Sequence, residues 1–329
     1  MAFTEDKPLL DVRHLSVSFA DEGGELCAVD DVSFTVPRGQ CVGIVGESGC
    51  GKSVTAMSLV RLLPRPAGRI TGGQILFRGK DICQFNSRQL RRLRGGNIGV
   101  IFQEPMSALN PIMSIGAQLV ETLVLHRDLN ADEAWVEAVR LLKRVRIPAA
   151  EERAADYPGS LSGGMRQRVV IAMAMACHPQ LIIADEPTTA LDVTVQQQIL
   201  ALLGELQRDN RASTLLITHD LGVIAQNCDR VLVMYAGRIV ESAPVCELFA
   251  APRHAYTRAL LAAMPRRGYA PKSMLPTIPG HVPTIRDHVA GCRFCQRMGV
   301  PPEQLTERPP LVEIGPEHFV EACPRCCAE

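Results

Sequence analysis

Gly46-Glu47-Ser48-Gly49-Cys50-Gly51-Lys52-Ser53 follows the apolar run Cys41-Val42-Gly43-Ile44-Val45 and precedes Val54-Thr55-Ala56-Met57-Ser58-Leu59-Val60. The apolar run predicts a buried strand, the later stretch predicts a helix, and the glycine-rich segment is the loop between them. The segment fits G-x-x-x-x-G-K-[ST] in the strand–loop–helix setting that a phosphate loop requires. Gly46, Gly49 and Gly51 free the backbone to turn N–H groups, with those of Ser48 and Val54, toward phosphate oxygens. The helix start adds partial positive charge, Lys52 reaches the terminal phosphates and the Ser53 hydroxyl reaches Mg²⁺.

Two further segments complete a nucleotide chemistry. Leu181-Ile182-Ile183-Ala184-Asp185-Glu186 is an apolar strand that ends in two carboxylates. Asp185 is expected to hold Mg²⁺ through water, and Glu186, near the γ-phosphate, to polarise an attacking water, which points to hydrolysis beyond binding. Leu161-Ser162-Gly163-Gly164-Met165-Arg166-Gln167 lies before a helix expected to run to about Cys177, so Ser162, Gly163 and Gly164 form a second phosphate-binding corner. One helix start already cradles the phosphates beside Lys52, so the second corner is expected to serve a nucleotide shared between two chains.

Around these segments the chain reads as ordered layers. Leu15, Val17, Phe19 and then Val32, Phe34, Val36 alternate with polar residues, as half-buried antiparallel strands do. Asn97 to Phe102 predicts a strand. Helical patterns then dominate to about Ala176, among them Asp132 to Val145 with apolar positions at Trp135, Val139 and Leu142. Strands at Leu181–Ala184, Thr214–Ile217 and Val231–Tyr235 alternate with helices at Thr194–Arg208 and Leu221–Asn227, which implies a mainly parallel sheet. After a short helix near Tyr256–Ala263, prolines at 265, 271, 276, 279, 283, 301, 302, 309 and 310 exclude long helices.

Composition narrows the class. The 329 residues suggest about two domains, and 47% hydrophobic with 21% charged residues fits a folded globular protein rather than a disordered tail or coiled coil. Lys plus Arg number 35 and Asp plus Glu 35, so no global field draws the chain to nucleic acid or anionic lipid. The arginines 88, 91, 92 and 94 read as a solvated helix face, with nucleotide or lipid contact the minority reading. The start shows no basic-then-apolar leader and no stretch approaches 18 apolar residues, so the twelve cysteines are expected to be reduced thiols in a cytoplasmic protein.

Taken together, these segments resemble the nucleotide-binding subunit of an ATP-binding cassette (ABC) transporter over about residues 8 to 250, with Leu161–Gln167 matching the family signature. The resemblance implies an α/β fold: a phosphate-loop (RecA-like) ATPase core with an antiparallel β subdomain and a helical subdomain at about 104–180. Residues 1–250 are the expected nucleotide-binding domain and 251–329 a small Pro/Cys-rich C-terminal module. By the resemblance, Gln103 in Phe102-Gln103-Glu104-Pro105 senses the γ-phosphate, joins the Mg²⁺ ligands and touches a membrane partner. Asp192, in Thr189-Ala190-Leu191-Asp192, communicates across the dimer, and His219, in Ile217-Thr218-His219-Asp220, is the switch on the γ-phosphate. Phe19 falls where the family places an aromatic that stacks on adenine; as an alternating strand residue it also suits the core.

Three more stretches narrow the resemblance: Glu186 to Gln196, His254-Ala255-Tyr256-Thr257-Arg258-Ala259-Leu260-Leu261, and Ile278-Pro279-Gly280. They are similar to the dipeptide, oligopeptide and nickel importers, with Ala255 where that group usually has proline. The resemblance implies ATP-driven closure of a dimer in which each nucleotide lies between Lys52, Ser53, Asp185 and Glu186 of one chain and the Ser162–Gly164 corner of the other. It further implies a second, distinct ATP-binding chain, two transmembrane permease subunits and an extracytoplasmic binding protein, and no nucleic acid. The chain is then peripheral on the cytoplasmic face of a bacterial inner membrane. The rival classes are a soluble ABC ATPase of DNA maintenance or translation and a metal-sensing regulator. The short separation of Ser53 and Leu161 leaves no room for a long coiled coil, and Glu186 with His219 argues against a regulator that binds without turnover.

The tail carries Cys292-x-x-Cys295 and Cys323-x-x-Cys326, with Cys327 spare. Four thiolates suit tetrahedral zinc or an iron–sulfur cluster; free thiols are the remaining reading. The importers it resembles often hold [4Fe–4S] in a tail beginning Gly-Cys-x-Phe, as Gly291-Cys292-Arg293-Phe294 does here, which favours iron–sulfur over zinc. Their next two cysteines, however, align near Met298 and Leu305, so Cys295 and Cys326 or Cys327 would have to substitute.

Overall fold

The computed structural model describes residues 7–189, 191–264, 274 and 276–327. Ala190 of the Thr189–Asp192 motif, Pro265 and Pro271 lie outside the described residues. The chain divides into two compact units: Met1–Leu10, Val36–Cys41 and Phe77–Ile217 form the first, and Asp11–Thr35, Val42–Leu76 and Thr218–Glu329 the second.

In the first unit the strands Ile98–Ile101, Leu181–Asp185 and Ser213–Thr218 run parallel, with Leu181 between Ile98 and Ser213. All residues of the latter two are buried, which is why they read as unbroken apolar runs rather than as alternation. The helical insert contains Ile115–His126, Ala131–Arg144 and Gly163–Met175. Its helix starts follow local chemistry: Ser114 accepts from the Ala117 N–H, and Asn130 with Glu133 closes a reciprocal capping box.

The buried face of Ala131–Arg144 is Ala134, Ala138, Leu141 and Leu142, a stripe at i, i+4, i+7 and i+8. This corrects the expected stripe: Leu142 is buried, Val139 only half-buried, and Trp135 is 39% exposed. The indole covers Gly116 of the neighbouring helix, where an added Cβ would stand 2.8 Å from the ring. Small alanines fill the contact and the large ring closes its rim.

In the second unit Gly24–Val36, Leu10–Asp21 and Gly68–Phe77 lie side by side in that order. The in–out alternation slips at His14 and Asp31, both at positive φ, so Leu10 and Val12 and then Leu15 and Val17 face the core. Cys41–Val45 pairs parallel with Arg230–Tyr235 from Val42 onward, and Arg238–Pro244 turns back antiparallel on Arg230–Tyr235. The proline-rich tail has short helices, Ala255–Ala262 and Arg293–Arg297, and a hairpin, Leu311–Gly315 with His318–Glu321. The hairpin extends this sheet: Val320 pairs with Glu241 and Phe319 with Ser242. Among the described residues, no helix is long and apolar enough to cross a membrane.

Candidate nucleotide site and cysteine centre

The loop after Val45 needs its glycines for space. A Cβ on Gly46 would lie 2.1 Å from the Met234 carbonyl oxygen, and Gly51, at φ 104°, would meet the Ala28 carbonyl oxygen at 2.8 Å. Helix Lys52–Leu59 starts at Gly51 with no side-chain cap and no acidic residue in its first turn. Lys52 is buried; its Nζ donates to the carbonyl oxygens of Gly46, 2.8 Å, and Glu47, 3.0 Å. The ammonium is thereby folded back over the loop that precedes it.

Two distant side chains hold the same loop. The Glu47 N–H donates to the Tyr256 hydroxyl at 3.0 Å, and Arg297 donates from Nη1 to Glu47 Oε2 at 2.5 Å and from Nη2 to Oε1 at 3.3 Å. Tyr256 is fully buried, packed 4.5 Å from the Tyr235 ring centroid and 5.6 Å from that of Phe294. His254 fixes the start of its helix, Nδ1 accepting from the Tyr256 N–H, while the buried Glu241 carboxylate accepts from the N–H groups of Arg253 and His254. The His254–Leu261 stretch is therefore a buried strut to the phosphate loop. Neither Tyr256 nor Arg297 was read as a site residue, because partners more than 200 positions apart leave no local pattern.

His219 lies exposed just beyond Thr218, and Asp220 caps the helix Leu221–Asn227 that follows. Phe19 is half-buried near the end of its strand, against Gly68, where an added Cβ would be 2.9 Å from its ring.

In the first unit, Asp185 ends its strand 1% exposed, and Glu186 follows at φ 45°, a left-handed conformation that a side-chain-bearing residue adopts at a cost. The Glu186 N–H donates to the Ile217 carbonyl at 2.9 Å. Its Oε2 accepts from Gln103 Nε2 at 3.2 Å and from Thr189 Oγ1 at 2.8 Å. Gln103, Thr189 and Glu186 thus form one polar cluster beside the buried Asp185.

Ser162 caps helix Gly163–Met175 by accepting from the Met165 N–H, and Ser162 and Gly163 are exposed. Gly163 has room for a Cβ, whose nearest neighbour is Leu191 Cδ2 at 3.8 Å; at Gly164 it would meet Val195 Cγ1 at 2.9 Å. Asp192 also works locally, Oδ1 accepting from the Val195 N–H at 2.9 Å at the start of helix Val193–Asn210.

Cys292, Cys295, Cys323 and Cys326 are all buried, and their sulfurs all lie within 4.8 Å of one another, close enough for one metal ion. Cys327 turns away and donates to the Glu321 carbonyl. Without a metal, four adjacent buried thiols cannot all ionise. A hydrogen bond from Cys326, with the nearby His254 ring adding to it, holds the Cys292 thiol down to about 3. Burial and the Cys292 charge push Cys295 up to about 12, and Cys326 rises steeply because its proton serves Cys292. Burial, then the same charge, lifts Glu321 to about 7.

Comparisons with known proteins agree with this architecture. Residues 29–189 match the ABC transporter family and residues 240–298 the oligopeptide/dipeptide transporter C-terminal region. The chain is 49% identical to the oligopeptide transport ATP-binding protein OppD of Salmonella typhimurium, over 94% of this chain and 91% of that one. It is 46% identical to OppD of Bacillus subtilis, over 95% and 88%. The solved dimeric structure of a post-hydrolysis state of the ATP-binding cassette MJ0796 bound to ADP and Pi superposes with a TM-score of 0.64 at 26% identity, covering 72% of this chain and 98% of that one. With its phosphate loop, capped glycine corner and carboxylate-ended strand, the chain belongs to the ABC transporter family, among the ATP-binding proteins that carry the oligopeptide/dipeptide transporter C-terminal region.

Proposed function

We propose that this chain is the ATP-binding and hydrolysing motor subunit of an importer for dipeptides, oligopeptides or related small solutes. The observation that carries the reading is the Gln103–Glu186–Thr189 cluster at the end of a buried strand. A carboxylate placed there, held in a costly backbone conformation by hydrogen bonds, suits a base that orients water.

In this reading Lys52 and the amides of residues 46–54 bind the phosphates, and Phe19 takes the adenine face. The groups that the family resemblance assigns to Mg²⁺, the Ser53 hydroxyl, the Gln103 amide oxygen and the buried Asp185 carboxylate, are all oxygens, the donor type that a hard cation takes. A Mg²⁺ ion held there would supply neutralisation of the nucleotide's phosphate charge. Glu186 takes the proton of the attacking water, and His219 and Gln103 report on the γ-phosphate. The Ser162–Gly164 corner completes the site of a partner chain, with Asp192 facing that partner. Contacts made only with the γ-phosphate favour the closed dimer, and hydrolysis removes them.

The partners are a second, distinct ATP-binding chain, two permease subunits and an extracytoplasmic binding protein, with this chain peripheral on the cytoplasmic face of the inner membrane. Met106 and Ile112, 46% and 81% exposed shortly after Gln103 in the chain, support a permease contact. Affinity purification from mildly solubilised membranes, with an ATPase assay on the same sample, tests the assembly. Recovery with two polytopic proteins and a second cassette chain is expected. Recovery alone or with nucleic acid favours the soluble class instead.

A further inference from the structure

The cysteine centre does not fit a four-iron cluster. In such a cluster each thiolate binds its own iron at a corner of a cube, which sets neighbouring thiolate sulfurs roughly 6 Å apart. Here Cys292 and Cys326 sulfurs are 3.6 Å apart, Cys295 and Cys323 3.6 Å, and Cys295 and Cys326 3.5 Å, and no pair among the four exceeds 4.8 Å. A single ion with Zn–S bonds of about 2.3 Å places tetrahedral thiolates roughly 3.8 Å apart. The spacing therefore matches one ion shared by four sulfurs.

We propose that Cys292, Cys295, Cys323 and Cys326 hold one zinc ion in a closed structural site, and that this ion braces the phosphate loop through Arg297. Zinc is favoured over iron on chemical grounds: a site for one divalent ion that binds through soft thiolates prefers zinc to ferrous iron, and a closed, buried shell leaves no position for a substrate. A tetrathiolate carries excess negative charge and needs donors, which the fold supplies. The Cys295 N–H points at the Cys292 sulfur, 3.4 Å away. His254 is fully buried, and because its Nδ1 accepts from the Tyr256 N–H, its ring proton sits on Nε2. That Nε2 makes no close hydrogen bond among the described residues; it stands 3.9 Å from Glu321 Oε2 and within 4.8 Å of the Cys292 sulfur, the group its ring already helps to hold in the thiolate form. A buried, unsatisfied donor beside a sulfur is what a metal-bound thiolate would accept from.

The brace follows from chain connectivity. Helix Arg293–Arg297 starts at Cys292, its N-cap, and contains Cys295, so two of the four ligands fix both its start and its first turn. A five-residue helix is too short to hold itself. Its last residue, Arg297, is the one bonded to Glu47 of the phosphate loop, and its first, Arg293, donates to Asp30 at 2.6 Å. Zinc on one side of this turn and Glu47 on the other make metal occupancy a determinant of loop geometry. The brace rests on the nucleotide reading above; the metal assignment does not.

The test uses the full chain purified anaerobically without a metal-affinity tag. Metal and acid-labile sulfide analysis should return about one zinc per chain and no sulfide, and cobalt exchange should give the intense visible bands of a tetrahedral tetrathiolate. Iron with sulfide at about four of each per chain, or a chain without metal, would overturn the assignment. ATP affinity is then measured on zinc-loaded protein, on chelator-stripped protein and on Arg297→Met, with Arg297→Lys as the conservative variant. Stripping and Arg297→Met should each weaken binding about tenfold, without adding, and Arg297→Lys should fall between. Equal affinity in loaded and stripped protein overturns the brace and leaves the zinc result standing. Loaded wild-type protein that binds no ATP defeats the nucleotide reading instead. Circular dichroism identifies a variant that has lost its fold, and in that case protection of four thiols from alkylation by zinc in wild-type protein decides the metal assignment.

Discussion

Gln103 donates to Glu186 across 3.2 Å, joining the segment after one buried strand to the end of another 83 positions later. The contact holds the carboxylate by a neutral amide donor, which fixes its direction. Glu186→Gln is expected to lower phosphate release by the assembled transporter by roughly 10²–10⁴-fold while ATP is still bound. Trapped nucleotide on size-exclusion chromatography, with turnover measured beside it, checks this. Unchanged turnover would remove Glu186 from the role of base.

Gly163 and Gly164 separate packing from chemistry. A Cβ at Gly163 meets nothing closer than 3.8 Å, so Gly163→Ala should leave the melting temperature unchanged or slightly raised, since alanine is the better helix former. It should nevertheless reduce hydrolysis if the exposed corner approaches a partner's nucleotide as proposed, because the methyl group projects from that corner. At Gly164 the same change meets Val195 at 2.9 Å and should also cost stability. Thermal melts and phosphate release on both variants distinguish the two effects.

Asp192 is an N-cap as well as a candidate dimer contact. Asp192→Ala removes the bond to the Val195 N–H and should cost about 1 kcal/mol in denaturant unfolding. Asp192→Asn keeps a capping oxygen and should cost far less. If hydrolysis falls equally in both, the carboxylate acts beyond its own helix; if it tracks stability, capping is its role.

His288 provides a pH-dependent contribution. Burial, reinforced by the nearby Arg293 charge, lowers its pKa to about 4 from 6.5. The unfolded chain therefore binds more protons between these values, so the contribution of the neutral ring to stability is complete above pH 6.5 and is lost progressively as pH falls toward 4. Denaturant midpoints across this window should drop for wild type and flatten for His288→Gln. A midpoint profile identical in both proteins would remove His288 from the acid response.

The parts of the site that sit on short, continuous segments were legible from the chain alone. The phosphate loop, the Leu181–Asp185 strand and the Ser162 cap each carry their chemistry within eight residues. Strand ends fell close to expectation for the same reason, since fully buried strands are marked by apolar runs between polar residues. Helix Ala131–Arg144 matches expectation in place, and in its inward face at Leu142, but Ala134 and Ala138 rather than the conspicuous Trp135 make the rest of the contact. Tyr256 and Arg297 left no trace at Glu47, since pairing across 209 and 250 positions is a tertiary event. The tail hairpin was hidden by its prolines, although Pro309 and Pro310 only precede the first strand.

That hairpin has a consequence for how the protein behaves in a crowded cell. Arg238–Pro244 offers a nearly fully buried strand whose outer edge would otherwise present unpaired amides and carbonyls to any extended peptide nearby. His318–Glu321 occupies that edge, and the outermost strand becomes Leu311–Gly315: five residues, preceded by two prolines and bearing a register irregularity between Glu313 and Gly315. Such a strand is a poor template for recruiting a foreign chain. A chain cut before Leu311 should therefore form strand-added oligomers and precipitate. By covering that edge, the tail should keep the sheet from seeding the aggregation of extended peptides around it.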